Sequence, residues 1–136
     1  MGLTDNKIRI MFIDDDPIDQ ALYRRMCRRA DDVESIEFFS YADDALDELT
    51  RRPDALPDLV FLDMRIPRMS GIEFLQAVGS LDGAIRDQLN VIIATTSIHP
   101  DDKDAATAFP FVKDFATKPI SKEQLEKIVS RLRKEP

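Results

Sequence analysis

The stretch Asp58–Gly71 reads DLVFLDMRIPRMSG. Leu59–Leu62 (LVFL) is a short unbroken apolar run, the pattern of a strand covered on both faces of a parallel sheet. It ends abruptly in Asp63. A loop carrying Pro67 follows, and then Ser70-Gly71-Ile72-Glu73 fits a capping box. In that motif the serine side chain accepts from the backbone of the third helical residue and the glutamate reaches back. Strand, acidic tip, loop and capped helix make one βα unit.

Four more apolar runs flank this one. They are Ile8–Ile13 (IRIMFI), Ile36–Phe39 (IEFF), Val91–Ala94 (VIIA) and Phe111–Phe115 (FVKDF). Their branched and aromatic residues predict strands. Between them, Ala42, Ala45, Leu46 and Leu49 follow helical spacing, as do Leu125, Ile128, Val129 and Leu132. Asp16-Pro17 places a capping carboxylate before a proline at the first helical position. Ser121-Lys122-Glu123-Gln124 fits a second capping box. The helix expected after Thr96 is the weakest, because Asp101–Ala108 offers mainly alanines to a core. Five successive βα units predict an α/β fold with a parallel sheet, helices on both faces and right-handed crossovers.

Composition limits the chemistry. The 136 residues suit one domain, and 43% hydrophobic against 33% charged residues is an ordinary globular balance. A net charge of −7 disfavours binding to a nucleic-acid backbone. The single Cys27 excludes an intramolecular disulfide and a multi-cysteine metal site, and the single His99 excludes a poly-histidine zinc centre. No apolar run reaches the ~18–20 residues of a membrane span, and Met1–Asp5 does not begin a secretory signal. These features predict a soluble, cytoplasmic protein that binds neither nucleic acid nor membrane.

Parallel α/β sheets present ligand sites beyond the carboxyl ends of their strands. Those ends carry Asp14, Asp15 and Asp16, then Asp63, then Thr95 and Thr96, then Lys118-Pro119; the second strand ends in Ser40. Clustered carboxylates repel by on the order of 4 kcal/mol per pair at ~4 Å and an effective dielectric of about 20. A hard divalent cation such as magnesium would offset that. Asp63 could act as a nucleophile that forms an acyl phosphate. Lys118 would supply an ammonium and Thr95 a hydroxyl to a transferring phosphoryl group. Asp16 reads as a helix cap and Asp19 as a first-turn partner of the helix dipole. Arg24, Arg25, Arg28 and Arg29 read as a solvated face of the first helix, with Ile18, Leu22 and Met26 on another face. His99 reads as a loop residue at the surface, and Cys27 as a small core or boundary residue.

With IMFIDDDP (Ile10–Pro17), DLVFLDMRIPRMSG (Asp58–Gly71), VIIATTS (Val91–Ser97) and FATKPI (Phe115–Ile120), the chain resembles a response-regulator receiver domain. The spacing agrees, with 48 residues from Asp15 to Asp63, 32 more to Thr95 and 23 more to Lys118. The resemblance implies a doubly wound, flavodoxin-like (βα)5 fold with strand order 2-1-3-4-5. It implies that Asp63 accepts a phosphoryl group from a sensor or hybrid histidine kinase or a phosphotransfer protein, with Mg2+. Asp15 would bind the ion directly, Asp14 mainly through water, and Asp63 and the Arg65 backbone carbonyl would complete the protein ligands. Lys118 would pair with the phosphoryl group, and Pro119 would follow a cis peptide bond. Thr95 and Phe115 would be the switch pair. The face built from the helix after the fourth strand, the fifth strand and the last helix would bind an unknown downstream protein or form a weak homodimer.

Three departures from the family's usual pattern involve four positions. Thr96 replaces a small residue, Arg65 and Ser97 occupy variable positions that tune phosphoryl loss, and Phe115 lacks a tyrosine hydroxyl. They predict an active receiver with an altered phosphoryl lifetime. The expected organisation is one receiver over 1–136, core about 8–132, without an output domain. The protein is expected to be a phosphoacceptor and not a true enzyme. A phosphatase using an aspartyl-phosphate intermediate would need an aspartate where Arg65 stands. A flavodoxin-like cofactor binder would need a Ser/Thr/Gly-rich first loop. The remaining alternative is a protein-binding module of the same fold that works without phosphorylation.

Overall fold

The computed structural model describes residues 7–97 and 99–134. Five strands, β1 (Ile8–Ile13), β2 (Val33–Phe39), β3 (Leu59–Leu62), β4 (Val91–Thr95) and β5 (Val112–Thr117), form one parallel sheet in the order β2-β1-β3-β4-β5. The helices are α1 (Pro17–Arg28), α2 (Ala42–Arg51), α3 (Gly71–Gly79), α4 (Gly83–Arg86), α5 (Pro100–Thr107) and α6 (Lys122–Arg133).

The pleat sorts alternate residues to the two faces. On one face Met11, Ile13, Val60, Leu62, Val91 and Ile93 pack with Ala45 and Leu49 of α2 and Phe74, Leu75 and Val78 of α3. On the other, Ile10, Phe12, Phe61 and Ile92 pack with Tyr23, Met26 and Cys27 of α1 and Leu125, Ile128 and Val129 of α6. The Phe12 ring is the centre of this second layer, stacked 4.2 Å from Tyr23, 5.2 Å from Phe38 and 5.3 Å from Phe61. Every residue of β3 and β4 is buried, as the continuous apolar runs predict.

Helix starts follow their caps. Asp16 accepts from the Ile18 backbone N–H ahead of Pro17, and Ser70 and Ser121 form complete capping boxes. Helix α5 is anchored by Ala106, its buried residue, and capped by His99.

The differences from expectation lie mostly at the sheet edges. Strand β2 begins at Val33, three residues ahead of the apolar run Ile36–Phe39, because an edge strand tolerates the exposed Glu34 and Ser35. Strand β5 runs Val112–Thr117; Phe111 is buried just before it and accepts from the Val91 N–H at 2.8 Å. Between α3 and β4, where the sequence pattern gives no element, lies the one-turn α4, capped by Asp82 and pinned by buried Ile85. On α1, Met26 is buried, whereas Ile18 and Leu22 are 70% and 43% exposed; Tyr23 faces the core instead.

Candidate functional site

The site is built where the strands end. The Asp14 N–H donates to Phe39 O at 3.0 Å, the Asp63 N–H to Ile13 O at 2.9 Å and the Lys118 N–H to Thr95 O at 2.8 Å. These bonds carry the ladder one residue past the strands, so Asp14, Asp63 and Lys118 are fixed at one edge of the sheet. The Lys118–Pro119 peptide bond is cis.

Lys118 Nζ lies among three carboxylates. It donates to Asp14 Oδ2 at 2.9 Å, Asp63 Oδ2 at 2.9 Å and Asp19 Oδ2 at 2.7 Å. An ammonium has three donors, and this arrangement uses each once. The lysine side chain is 6% exposed. The other oxygens of two of the acids are also engaged. Asp14 Oδ1 accepts from the Asp16 N–H at 2.9 Å, and Asp63 Oδ1 from the Arg65 N–H at 3.0 Å. Gln20 steadies the first corner, its side-chain amide donating to Asp14 O at 2.7 Å.

Burial sets the electrostatics. It pushes the Asp14 carboxyl up to about 6, against the lowering effects of the Asp16 N–H and Lys118. Burial also works against the Lys118 charge, but hydrogen bonds to Asp19, Asp14 and Asp63 outweigh it and hold the ammonium above the usual lysine range. Beneath the cluster, burial and then the charge of Asp14 raise the Tyr23 phenol.

The loop after β3 is held at both ends. The Gly71 N–H donates to Met64 O at 3.1 Å, and a Cβ on Gly71 would stand 2.7 Å from Met64 Cα. Only glycine permits that approach. Arg68 has a positive φ of 71°. Its guanidinium pairs with Asp43 and Asp44 of α2 and lies 4.1 Å above the Tyr41 ring. The exposed Arg65 side chain comes within 3.7 Å of Asp102 on α5, a salt bridge across the mouth of the site.

The structure thus brings Asp14, Asp63 and Lys118 together. Asp15 is exposed, one residue along the chain. Thr95 is buried, with its hydroxyl toward Ser97 O at 3.4 Å. Phe115 is half-buried against the core, with Lys103 Nζ 5.7 Å from its ring centre. Asp16 and His99 are caps. Asp19 corrects the sequence reading: its carboxylate meets Lys118, 99 residues away, as well as standing in the first turn of α1. The signal that could have found it was a second carboxylate one helical turn beyond the acidic strand tip.

One oxygen each from Asp14, Asp19 and Asp63 lie within 4.8 Å of one another. An all-oxygen, anionic donor set suits a hard cation of the magnesium or calcium kind. Asp14 and Asp63 of this group are ligands that the sequence reading named, and their donor chemistry fits its ion; Asp19 is not among those ligands. Among the described residues no helix is long and apolar enough to cross a membrane.

Comparison with known proteins agrees with this architecture. The family model for the response regulator receiver domain matches residues 10–130, and the chain belongs to that family. It is 32% identical over 129 residues to the transcriptional regulatory protein BtsR of Salmonella typhi, covering 94% of this chain and 49% of that protein. The chain thus spans about half the length of the curated relatives it matches. A two-component response regulator from Cytophaga hutchinsonii superposes with a TM-score of 0.86 at 23% identity, covering 96% of this chain and all of the other. The bacteriophytochrome response regulator AtBRR superposes with a TM-score of 0.76 at 25% identity, covering 93% of each chain.

Proposed function

We propose that the chain is a phosphorylation switch in which Asp63 accepts a phosphoryl group from the phosphohistidine of a sensor or hybrid histidine kinase or a phosphotransfer protein. The observation that carries this reading is the Lys118 ammonium held 2.9 Å from Asp63 Oδ2 at the carboxyl edge of the sheet. In the transfer, an Asp63 carboxylate oxygen attacks phosphorus. The P–N bond to the imidazole breaks, and the imidazole, already protonated on its other ring nitrogen, takes the P–N electron pair and leaves as the neutral base. Asp63 is pre-positioned for this by its own N–H bond to Ile13 O and by the Arg65 N–H on its second oxygen.

Asp14, Asp15, Asp63 and the Arg65 carbonyl would hold magnesium, which supplies positive charge to the transferring phosphoryl oxygens. Lys118 adds a fixed ammonium on the other side of the same carboxylate. Thr95 exchanges its long contact with Ser97 O for a phosphoryl oxygen, and Phe115 moves inward behind it. These movements alter the face made by α5, β5 and α6, the proposed surface for a downstream protein or a weak homodimer. The group is lost by hydrolysis at the same site. Such a protein works in the cytoplasm, where kinases are charged by ATP.

The test is intact mass after exposure to acetyl phosphate, with magnesium or with chelator, for the wild type and Asp63→Asn. One magnesium-dependent phosphoryl adduct, absent from the variant, supports the switch. No adduct at short quench times supports the phosphorylation-independent binding module.

A further inference from the structure

We propose that Asp19 is a positioning residue for Lys118, keeping its ammonium in place when the other two carboxylates are taken up by the reaction; this rests on the reading of Asp63 as phosphoacceptor. Three observations converge on it. Asp19 makes the shortest of the three contacts to Lys118 Nζ, 2.7 Å against 2.9 Å for both Asp14 and Asp63. Its side chain is 18% exposed, so the pair is substantially shielded from water and from salt. Its backbone is fixed in the first turn of α1 by the Asp16 cap and Pro17.

The division of labour follows from what each acid must do. Asp14 and Asp63 each hold a backbone N–H with one oxygen and Lys118 with the other. Both are also proposed cation ligands, and Asp63 gives up its carboxylate charge once it becomes an acyl phosphate. Lys118 then loses one anchor to esterification and shares another with the cation. Asp19 is the anchor that neither event consumes. With it, the lysine exchanges Asp63 Oδ2 for a phosphoryl oxygen while one strong N–H bond stays intact. Without it, a four-carbon side chain must be reordered at each turnover, an entropic cost borne by the transfer step. A carboxylate that served only the helix dipole would gain nothing from meeting a lysine on the far side of the sheet edge.

The experiment uses the full chain with Asp19→Asn, Asp19→Ala and Asp19→Glu. Three quantities are read: the rate of phosphorylation by acetyl phosphate, the magnesium affinity by calorimetry, and the side-chain ammonium resonance of Lys118 in 15N-lysine-labelled protein, assigned with Lys118→Ala. The asparagine and alanine variants should lose or strongly shift the Lys118 resonance. Their phosphorylation should slow by about tenfold, the scale of one charge-assisted hydrogen bond. Magnesium affinity should stay within about threefold of wild type, since a change of that size is below one hydrogen bond's worth. Asp19→Glu, which restores the charge, should recover part of the rate and the resonance. A wild-type rate and resonance in Asp19→Asn would overturn the inference and leave the phosphoacceptor reading standing. Loss of magnesium binding in that variant would also overturn it, by making Asp19 a ligand. A wild type that takes no phosphoryl group would overturn both readings.

Discussion

Lys118 Nζ sits 2.9 Å from Asp63 Oδ2, 55 residues away in the chain and on the far side of β4 in the sheet. The same nitrogen reaches Asp14 and Asp19, so one cation holds three carboxylates at the edge where the strands end. The geometry gathers acidic charge that a hard cation could share with the lysine.

The first prediction concerns that lysine. Lys118→Met leaves three carboxylates facing one another, and breaking a buried ion pair by removing one partner costs about 3–5 kcal/mol. Burial opposes the Lys118 charge, but the three carboxylates hold it above the ordinary lysine range. The wild-type contribution is therefore complete at neutral pH and is lost only as pH rises through that raised value. Urea unfolding at neutral pH should show the loss, and magnesium should recover part of it by binding the native state. A variant as stable as the wild type would contradict the shared-cation geometry.

The second concerns Asp14. Burial lifts its carboxyl from 3.8 to about 6 in the fold, so the native state holds this proton more tightly than the unfolded chain. Stability from this group therefore falls as pH rises between those values, and above about 6 the penalty is complete. Asp14→Asn should stabilise the apo protein by at most about 3 kcal/mol at pH 7.5, following about 1.4 kcal/mol per pH unit. The gain should vanish toward pH 4. Unfolding curves of both proteins across that range test it; a gain independent of pH would assign the effect to something other than the buried charge.

The sequence made much of this site legible, for definite reasons. Strands β1 and β3 are apolar throughout or nearly so, and their ends at Ile13 and Leu62 coincide with the first acidic residue. Ser70 and Ser121 carry complete capping boxes, so two helix starts could be placed to the residue. The edge strands were harder: β2 mixes Glu34 and Ser35 into its exposed beginning, and β5 has Lys113 and Asp114 within it. Helix α4 is one turn with a single buried residue, too short for a periodic signal. Asp19 was read only as a partner of its own helix because its real partner is brought near by the chain's last crossover. The direction of the Thr95 hydroxyl is likewise a tertiary property.

The third prediction addresses the loop after β3. Gly71→Ala would put a Cβ 2.5 Å from Met64 Sδ and 2.7 Å from Met64 Cα. The second of these is backbone, so the loop must move. Overpacking of this kind costs about 1–3 kcal/mol, and here it displaces the segment that carries Arg65. Thermal melts should show the loss, together with weakened magnesium binding. A variant with unchanged melting and unchanged binding would show that the loop yields without reaching the site.

The fourth concerns the mouth of the site. Arg65 and Asp102 are 3.7 Å apart, with the arginine side chain 68% exposed, so their pairing should contribute less than about 1 kcal/mol to stability. Their effect should appear in the lifetime of the phosphoryl group. Arg65→Ala should shorten it by opening the group to water. Asp102→Asn should lengthen it by freeing the arginine to cover the group. Dephosphorylation after donor removal measures both, and equal shifts in the same direction would contradict a shielding role.

The most direct test of the central claim is to locate the phosphoryl group. Phosphorylated protein is reduced with borohydride, which converts an aspartyl phosphate to homoserine, and the digest is mapped by mass spectrometry. Homoserine at position 63, and nowhere else, is the predicted result. Homoserine at Asp14, Asp15 or Asp19, or none at any position in protein shown to carry the adduct, would contradict the assignment of Asp63 as the acceptor.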